Sequence, residues 1–241
     1  MSRVFFQFKQ FLIKQDIVSM KVGTDSVLLG AKVNIPTFIA AEKVLDIGTG
    51  SGILALMLAQ RIPLIQIDAI DIDISAYLQA YHNFKQSNWN DRLNVYCISL
   101  QEFELNNANT YKLIICNPPY FSNGLHPILY SRKIARHDNE LSLEVLVEKV
   151  NKLLTINGHF AVILPVESEN RIIELCLKHN LFLSQKTLVR PSRLKPVKRI
   201  IFEFSKTSGN TIVSELAIEK QKRHDYTIDY INLTSPFYLN F

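Results

Sequence analysis

Three cysteines are too few, and odd in number, to build a disulfide framework. Cys97, Cys116 and Cys176 are widely spaced and set in apolar segments. That predicts buried thiols in a reducing cytoplasm rather than bridges or metal ligands. No apolar run approaches the length that crosses a bilayer. The N-terminal Val4-Phe5-Phe6 and Phe11-Leu12-Ile13 are broken by Gln7, Lys9 and Gln10, so no signal peptide is predicted. Eight glycines beside 47% hydrophobic residues exclude a low-complexity chain and suit an ordered α/β protein. No internal repeat is present. The 241 residues predict one domain over 1–241, with 1–38 as an N-terminal extension and 39–241 as the core. A monomer without an obligate protein partner is expected.

The charge balance is only modestly basic, at +5. Its distribution is more telling. From Lys186 to Lys206 inclusive there are seven Lys or Arg and one acid, Glu203. Arg190, Arg193, Lys195, Lys198 and Arg199 cluster around two prolines, a patch suited to a polyanion.

Along the chain, residues 3–23 read as a short antiparallel unit closed by Gly23. Thr24 is the expected N-cap of a helix from Asp25 to about Lys32. Lys21, Thr24 and Asp25 form a polar, glycine-bearing stretch able to line a site; Asp25 suits a helix first turn equally well. Strands follow at 43–47, 66–71, 93–97, 112–116 and 158–164, alternating with helices at 53–60, 75–85, 141–154 and 169–178. Residues 182–189 and 199–204 are expected to pair across the basic turn, with a further strand at 211–218. This alternation predicts a mostly parallel sheet, helices on both faces and an antiparallel hairpin at its edge.

Asp46 precedes Gly48-Thr49-Gly50-Ser51-Gly52 at the end of the first long strand. Glycines there permit positive φ and close approach of a ligand. The dinucleotide fingerprint needs its third glycine one residue later, where Ile53 stands. The spacing therefore favours an adenosine-bearing ligand without a pyrophosphate and disfavours a nicotinamide cofactor. Asp71, at the next strand end, suits ribose hydroxyls, with Asp73 its rival and Asp68 expected to be solvated. Asp46 can meet a cationic group or cap the turn's own amides.

Cys116-Asn117-Pro118-Pro119-Tyr120 follows the strand at 112–116. An amide, two rigid prolines and an aromatic ring at a strand tip make a clamp for a flat polar group. The glycine turn, Asp71 and Asn117-Pro-Pro-Tyr120, in that order, resemble the Rossmann-like S-adenosylmethionine-dependent methyltransferases that modify planar amines. Met20-Lys-Val-Gly-Thr-Asp25, Leu28-Leu-Gly-Ala31, Leu54-Ala-Leu-Met-Leu-Ala-Gln-Arg61 and Phe237-Tyr-Leu239 extend the resemblance over nearly the whole chain. They resemble the bacterial tRNA1(Val) (adenine-37-N6)-methyltransferase family.

The resemblance implies a seven-stranded sheet, S-adenosylmethionine as cofactor, S-adenosylhomocysteine as product, no metal, and a tRNA adenine as substrate. It places Asn117, Pro118, Pro119 and Tyr120 at the reacting amine. Lys21, Thr24, Asp25, Asp46, Gly48, Gly50, Gly52, Asp71, Ser99 and Asn117 are placed at the cofactor. Ser99 stands where related sequences carry an acid for the donor's adenine. Asn117 and the Pro118 carbonyl would accept the amine hydrogens while Tyr120 stacks on the base. Turning a stacked base outward needs grip on phosphates. Arg132 and Arg136, the Arg190–Arg199 turn, and Lys220 to His224 are the candidates. Three other readings fit the clamp: glutamine N5 methylation of a protein, guanine N2 methylation of rRNA, and a non-catalytic RNA-binding module. The first usually carries a helical N-terminal domain, whereas about forty residues precede the glycine turn here. The second more often has Phe where Tyr120 stands.

Overall fold

The computed structural model describes residues 4–18, 20–39, 41–118 and 141–240. Two short strands, β1 (Phe5–Gln7) and β2 (Leu12–Lys14), pair antiparallel with Phe6 opposite Ile13. Helix α1 (Thr24–Lys32) starts at Gly23 without a side-chain cap, so the N-cap expected at Thr24 lies one residue earlier. The strands that follow are β3 (Lys43–Ile47), β4 (Ile67–Asp71), β5 (Leu93–Cys97), β6 (Tyr111–Cys116), β7 (Leu154–Pro165), β8 (Phe182–Ser192), β9 (Arg199–Ser205) and β10 (Ile212–Glu219). The helices between and after them are α2 (Ile53–Arg61), α3 (Ile74–Lys85), α4 (Leu100–Glu104), α5 (Leu143–Leu153), α6 (Glu169–Lys178) and α7 (Ile228–Thr234).

These eight long strands form one sheet in the order β10-β8-β9-β7-β6-β3-β4-β5. Only β9 runs against the rest. Among the described residues the sheet therefore has eight strands, not the seven expected. The hairpin β8–β9 is present, and β10 adds itself in parallel outside β8, Ile212 opposite Gln185. The order reverses at β3, which has β4 on one side and β6 on the other. Open α/β sheets bind ligands at the carboxyl ends of strands at such a switch point.

Both faces are covered, so the central strands are mostly apolar and their side chains alternate between two cores. Leu113 and Ile115 of β6 face one side with α1, α2, α3 and α7; Ile114 and Cys116 face the other with α4, α5 and α6. Asp68 corrects the expectation of a solvated residue. It is buried on the second face and accepts from Lys43 Nζ (3.1 Å), Asn94 Nδ2 (2.9 Å) and Tyr111 Oη (2.9 Å). A buried carboxylate is tolerable when paired in this way. Cys116 and Cys176 are buried, as expected, but Cys97 is exposed at the end of the outer strand β5.

The N-terminal segment is tied to the core at several points. Asn83 of α3 exchanges hydrogen bonds with the Lys14 backbone, and Gln79 accepts from Ile17 N. Phe8 and Phe11 stack at 4.7 Å, and Phe8 also stacks on Tyr238, so Phe8 and Phe11 are packed into the core. Lys9 N donates to Phe237 O at 2.8 Å, which gives the chain's closing aromatic stretch a structural role.

Candidate active site

Ile47 of β3 lies opposite Cys116 of β6. Gly48 and Asn117 therefore leave strand tips about 4.8 Å apart, the usual spacing between paired strands. The glycine turn and the start of the amide clamp open into the same crevice.

Gly48, Gly50 and Gly52 all have positive φ, at 68°, 57° and 84°. They serve different purposes. A Cβ on Gly48 or Gly50 would meet nothing within 4 Å, so that side of the turn is open to a ligand. A Cβ on Gly52 would lie 2.5 Å from the Phe84 ring, so this glycine is needed for packing of α2 against α3. The turn is held from beneath: Gly48 N and Thr49 N donate to Ile70 O at 2.9 and 3.1 Å. Asn83 Nδ2 also donates to Ser51 O at 2.8 Å. Asn83 carries no local signal in the sequence, because its partners lie 32 and 69 residues away.

Two carboxylates shape the electrostatics. Asp46 is fully buried; Oδ2 accepts from Thr49 Oγ1 (2.6 Å) and Ala55 N (3.2 Å), while Oδ1 is buried with no partner among the described residues. Burial pushes its pKa up to about 7, against the opposing effect of its two hydrogen bonds. Asp71 Oδ2 accepts from Gly50 N and Oδ1 from Asp73 N, both at 2.9 Å. Burial raises its pKa too, with those two bonds opposing. Asp71 retains acceptor capacity beside these bonds and a further one from the Ile72 backbone. All these partners are neutral, so the pair favours a ligand that brings positive charge and hydroxyl donors. Asp73, the rival to Asp71, is the N-cap of α3 and accepts from Ser75 N at 2.9 Å.

Ser99 is already engaged. It caps α4 in a reciprocal box, donating to Glu102 Oε2 at 2.6 Å and accepting from Glu102 N at 3.2 Å. The Ser-x-x-Glu spacing carries that signal in the sequence.

On the acceptor side, Asn117 Nδ2 donates to Ser26 Oγ at 2.8 Å. That bond leaves the amide oxygen as the end available to another donor. Pro118 is buried; Pro119 and Tyr120 lie outside the described residues, as do Arg132 and Arg136. Ser26 stands in the first turn of α1, and α1 is firmly placed. Arg61 donates to Gly30 O (2.7 Å) and Val33 O (2.8 Å) at its C-terminal end, while Gly30 packs on Met57 so closely that a Cβ would lie 2.8 Å from Sδ. Asp25 accepts from Arg199 Nε at 2.9 Å, which ties the helix start to the basic hairpin. Lys21 and Thr24 are exposed beside it.

The basic candidates divide into two groups. Arg190 is paired with Glu215 at 3.4 Å and Arg199 with Asp25. Arg193, Lys195 and Lys198 are exposed and form no ion pair with a described residue. Among the described residues no group of three or more His, Cys, Asp or Glu is arranged to hold a metal ion. None of their helices is long and apolar enough to cross a membrane.

Comparison with known proteins defines the class first. Residues 21–164 match the model of the methyltransferase small domain. The fold is that of Rossmann-like methyltransferases. A crystal structure of a predicted O-methyltransferase from Agrobacterium tumefaciens superposes with a TM-score of 0.69 at 17% identity, covering 88% of this chain and 96% of that one. A Pyrococcus horikoshii structure, TYW2 in complex with MeSAdo, gives 0.58 at 12% identity, covering 83% and 70%. Sequence relatives are far closer. The tRNA1(Val) (adenine(37)-N6)-methyltransferase of Christiangramia forsetii is 41% identical over 99% of both chains. Those of Trichodesmium erythraeum and Vibrio campbellii are 43% and 41% identical, over 98% and 97% of this chain and 98% and 95% of the relatives. The chain belongs to the tRNA1(Val) (adenine(37)-N6)-methyltransferase family.

Proposed function

We propose that this protein transfers a methyl group from S-adenosylmethionine to N6 of adenine 37, beside the anticodon of a valine tRNA. One observation carries the reading: Asn117 and the open, doubly acidic glycine turn leave adjacent strand tips at the sheet's switch point. We read residues 1–241 as one cytoplasmic methyltransferase domain acting on tRNA.

The residues present suit the donor. Its cationic end suits the buried Asp46, whose Oδ1 has no partner among the described residues and whose burial needs a cationic or water-borne one. Asp71 holds the ribose hydroxyls with its remaining lone pairs, and Gly48 and Gly50 give the backbone room for close approach. Lys21, Thr24 and Asp25, at and just before the start of α1 next to Ser26, are proposed to reach the donor from that side. Ser99, with its hydroxyl committed to Glu102, contributes shape and backbone rather than a side-chain contact. When bound, the donor supplies an electrophilic methyl group on sulfur.

The protein's own part is to prepare the amine. Adenine N6 is a weak nucleophile because its lone pair is conjugated with the ring. Asn117 Oδ1 and the Pro118 carbonyl each accept one N–H, which raises electron density at nitrogen and favours a pyramidal geometry. Both acceptors are held before the substrate arrives, Asn117 by Ser26 and the Pro118 backbone by its ring. Tyr120, next in the motif, is the ring proposed to stack on the base, an interaction worth about 1–3 kcal/mol. The proton leaves after transfer, when nitrogen carries positive charge, so no strong base is needed. Cys116 beside the clamp is no nucleophile, since burial keeps its thiol protonated.

Incubation with labelled donor and either bulk tRNA or a release factor tests this reading. Label is expected in tRNA; label in protein alone refutes it.

A further inference from the structure

β8 and β10 run in the same direction as β6 and β7, so their carboxyl ends reach the edge that holds Asn117. The turns that follow them are joined. Arg193 N donates to Glu219 O at 3.0 Å and to Lys220 O at 3.3 Å. Two basic segments far apart in sequence thus become one surface.

Most acids of this surface are ion-paired within it, and Glu219 is bound to a backbone N–H. Glu219 accepts from His224 N at 2.8 Å, and Asp225 pairs with Lys220 at 2.9 Å. Glu215 and Asp25 pair with Arg190 and Arg199. Five cations are left over: Arg193, Lys195, Lys198, Lys222 and Arg223. All five are exposed, and none forms an ion pair with a described residue. Singly, a hydrated surface cation contributes little. Together they favour a polyanion, because each phosphate neutralised releases counterions and the effect accumulates.

Distance decides what is gripped. From β6 to β10 the sheet order gives four inter-strand steps, about 19 Å at the usual spacing. That is too far for the 220–225 turn to touch the nucleotide whose base enters the clamp, whereas the 193–198 turn joins β8 to β9, two to three steps or about 10–14 Å from β6, and lies nearer to it. We propose that the joined turns grip the phosphate backbone of the tRNA arm that carries the target base, residues 193–198 nearer the loop and residues 220–225 on its stem. The ion-paired Arg190 and Arg199 brace the surface. This rests on the tRNA reading above and assigns Lys222 and Arg223 a part in it.

The test measures binding of an unmodified valine tRNA transcript across a salt series, with methyl incorporation into the same RNA followed in parallel. Lys222→Ala with Arg223→Ala is expected to make the slope of log K against log salt shallower by about 0.7–0.9 for each phosphate no longer neutralised. Adding Arg193→Ala and Lys195→Ala should flatten it further and lower affinity at least tenfold. Donor affinity and melting temperature should stay at wild-type values. Arg190→Ala should change the slope less than either pair. An unchanged slope in Lys222→Ala/Arg223→Ala, with wild-type protein still methylating the tRNA, overturns the platform alone. Wild-type protein that neither binds nor methylates the tRNA overturns the functional reading and the platform together.

Discussion

The carboxyl edge of the sheet has two halves that use charge in opposite ways. At β3, β4 and β6, charge is drawn inward: Asp46 and Asp71 are largely withdrawn from water and fixed by hydrogen bonds of 2.6–3.2 Å. At β8 to β10 it is pushed outward: Arg193, Lys195, Lys198, Lys222 and Arg223 stand in solvent. A buried charge is costly, so each must be tied to one geometry. An exposed charge costs little and does little alone, so it works by number. The inner half suits the positioning of reacting atoms, and the outer half suits a long, regular polyanion.

The sharpest way to break this contrast is at Asn117. Asn117→Ala should lower the methyl-transfer rate more than a hundredfold while donor affinity, read by calorimetry, stays within about twofold. No single cation of the outer half should approach that effect. Undiminished turnover in Asn117→Ala would remove the clamp from the mechanism.

Within the inner half, the glycines separate packing from binding. Gly52→Ala drives a methyl group into Phe84 and should cost about 3 kcal/mol or more in thermal unfolding. Gly50→Ala meets no atom and should cost only the strain of its positive φ, about 1–2 kcal/mol, yet weaken donor binding markedly. Equal losses of stability would mean that the two positions are not distinguished by their surroundings.

Asp46 gives a smaller effect with a defined direction in pH. Its carboxyl ionises at 3.8 in the unfolded chain and near 7 when folded. Between those values the folded protein keeps a proton that the unfolded chain has lost. Asp46 therefore withdraws stability as pH rises from about 4 to about 7, and changes nothing further above that. Asp46→Asn should flatten this part of the melting-temperature profile. Wild-type affinity for the cationic donor should rise with pH until about 7 and then level. A profile identical in the two proteins would contradict the buried carboxylate's role.

The smallest expected effect lies where the halves meet. Arg199→Ala removes a partly exposed ion pair to Asp25 and should cost less than about 1 kcal/mol in stability. A larger loss would make the hairpin part of the site's frame.

What the sequence makes legible follows from range. The glycine turn, the strand–helix alternation and the amide clamp are local patterns, and each predicted long strand and helix falls within a few residues of its expected place. What escapes depends on distant partners. Asp68 looks solvated beside Ile67 and Ala69, but Tyr111 is 43 residues away and Asn94 is 26. Ser26 meets Asn117 across 91 residues, and Asp25 meets Arg199 across 174. In the sequence Arg199 and Arg190 look like members of one basic patch, because the acids they pair with come from elsewhere in the fold. Gly52 reads as a third ligand glycine because Phe84 enters from α3. The short helix α4 goes unread although its capping box is written in Ser99 and Glu102, and α7 starts at a Thr227 cap after a charged turn that hides it.

The central claim is best tested on the nucleoside itself. Valine tRNA transcribed without modifications is incubated with the protein and labelled S-adenosylmethionine, digested, and mapped by mass. The account predicts one N6-methyladenosine at position 37, absent with Asn117→Ala. Label on guanine N2, on protein, or at another adenine would contradict it.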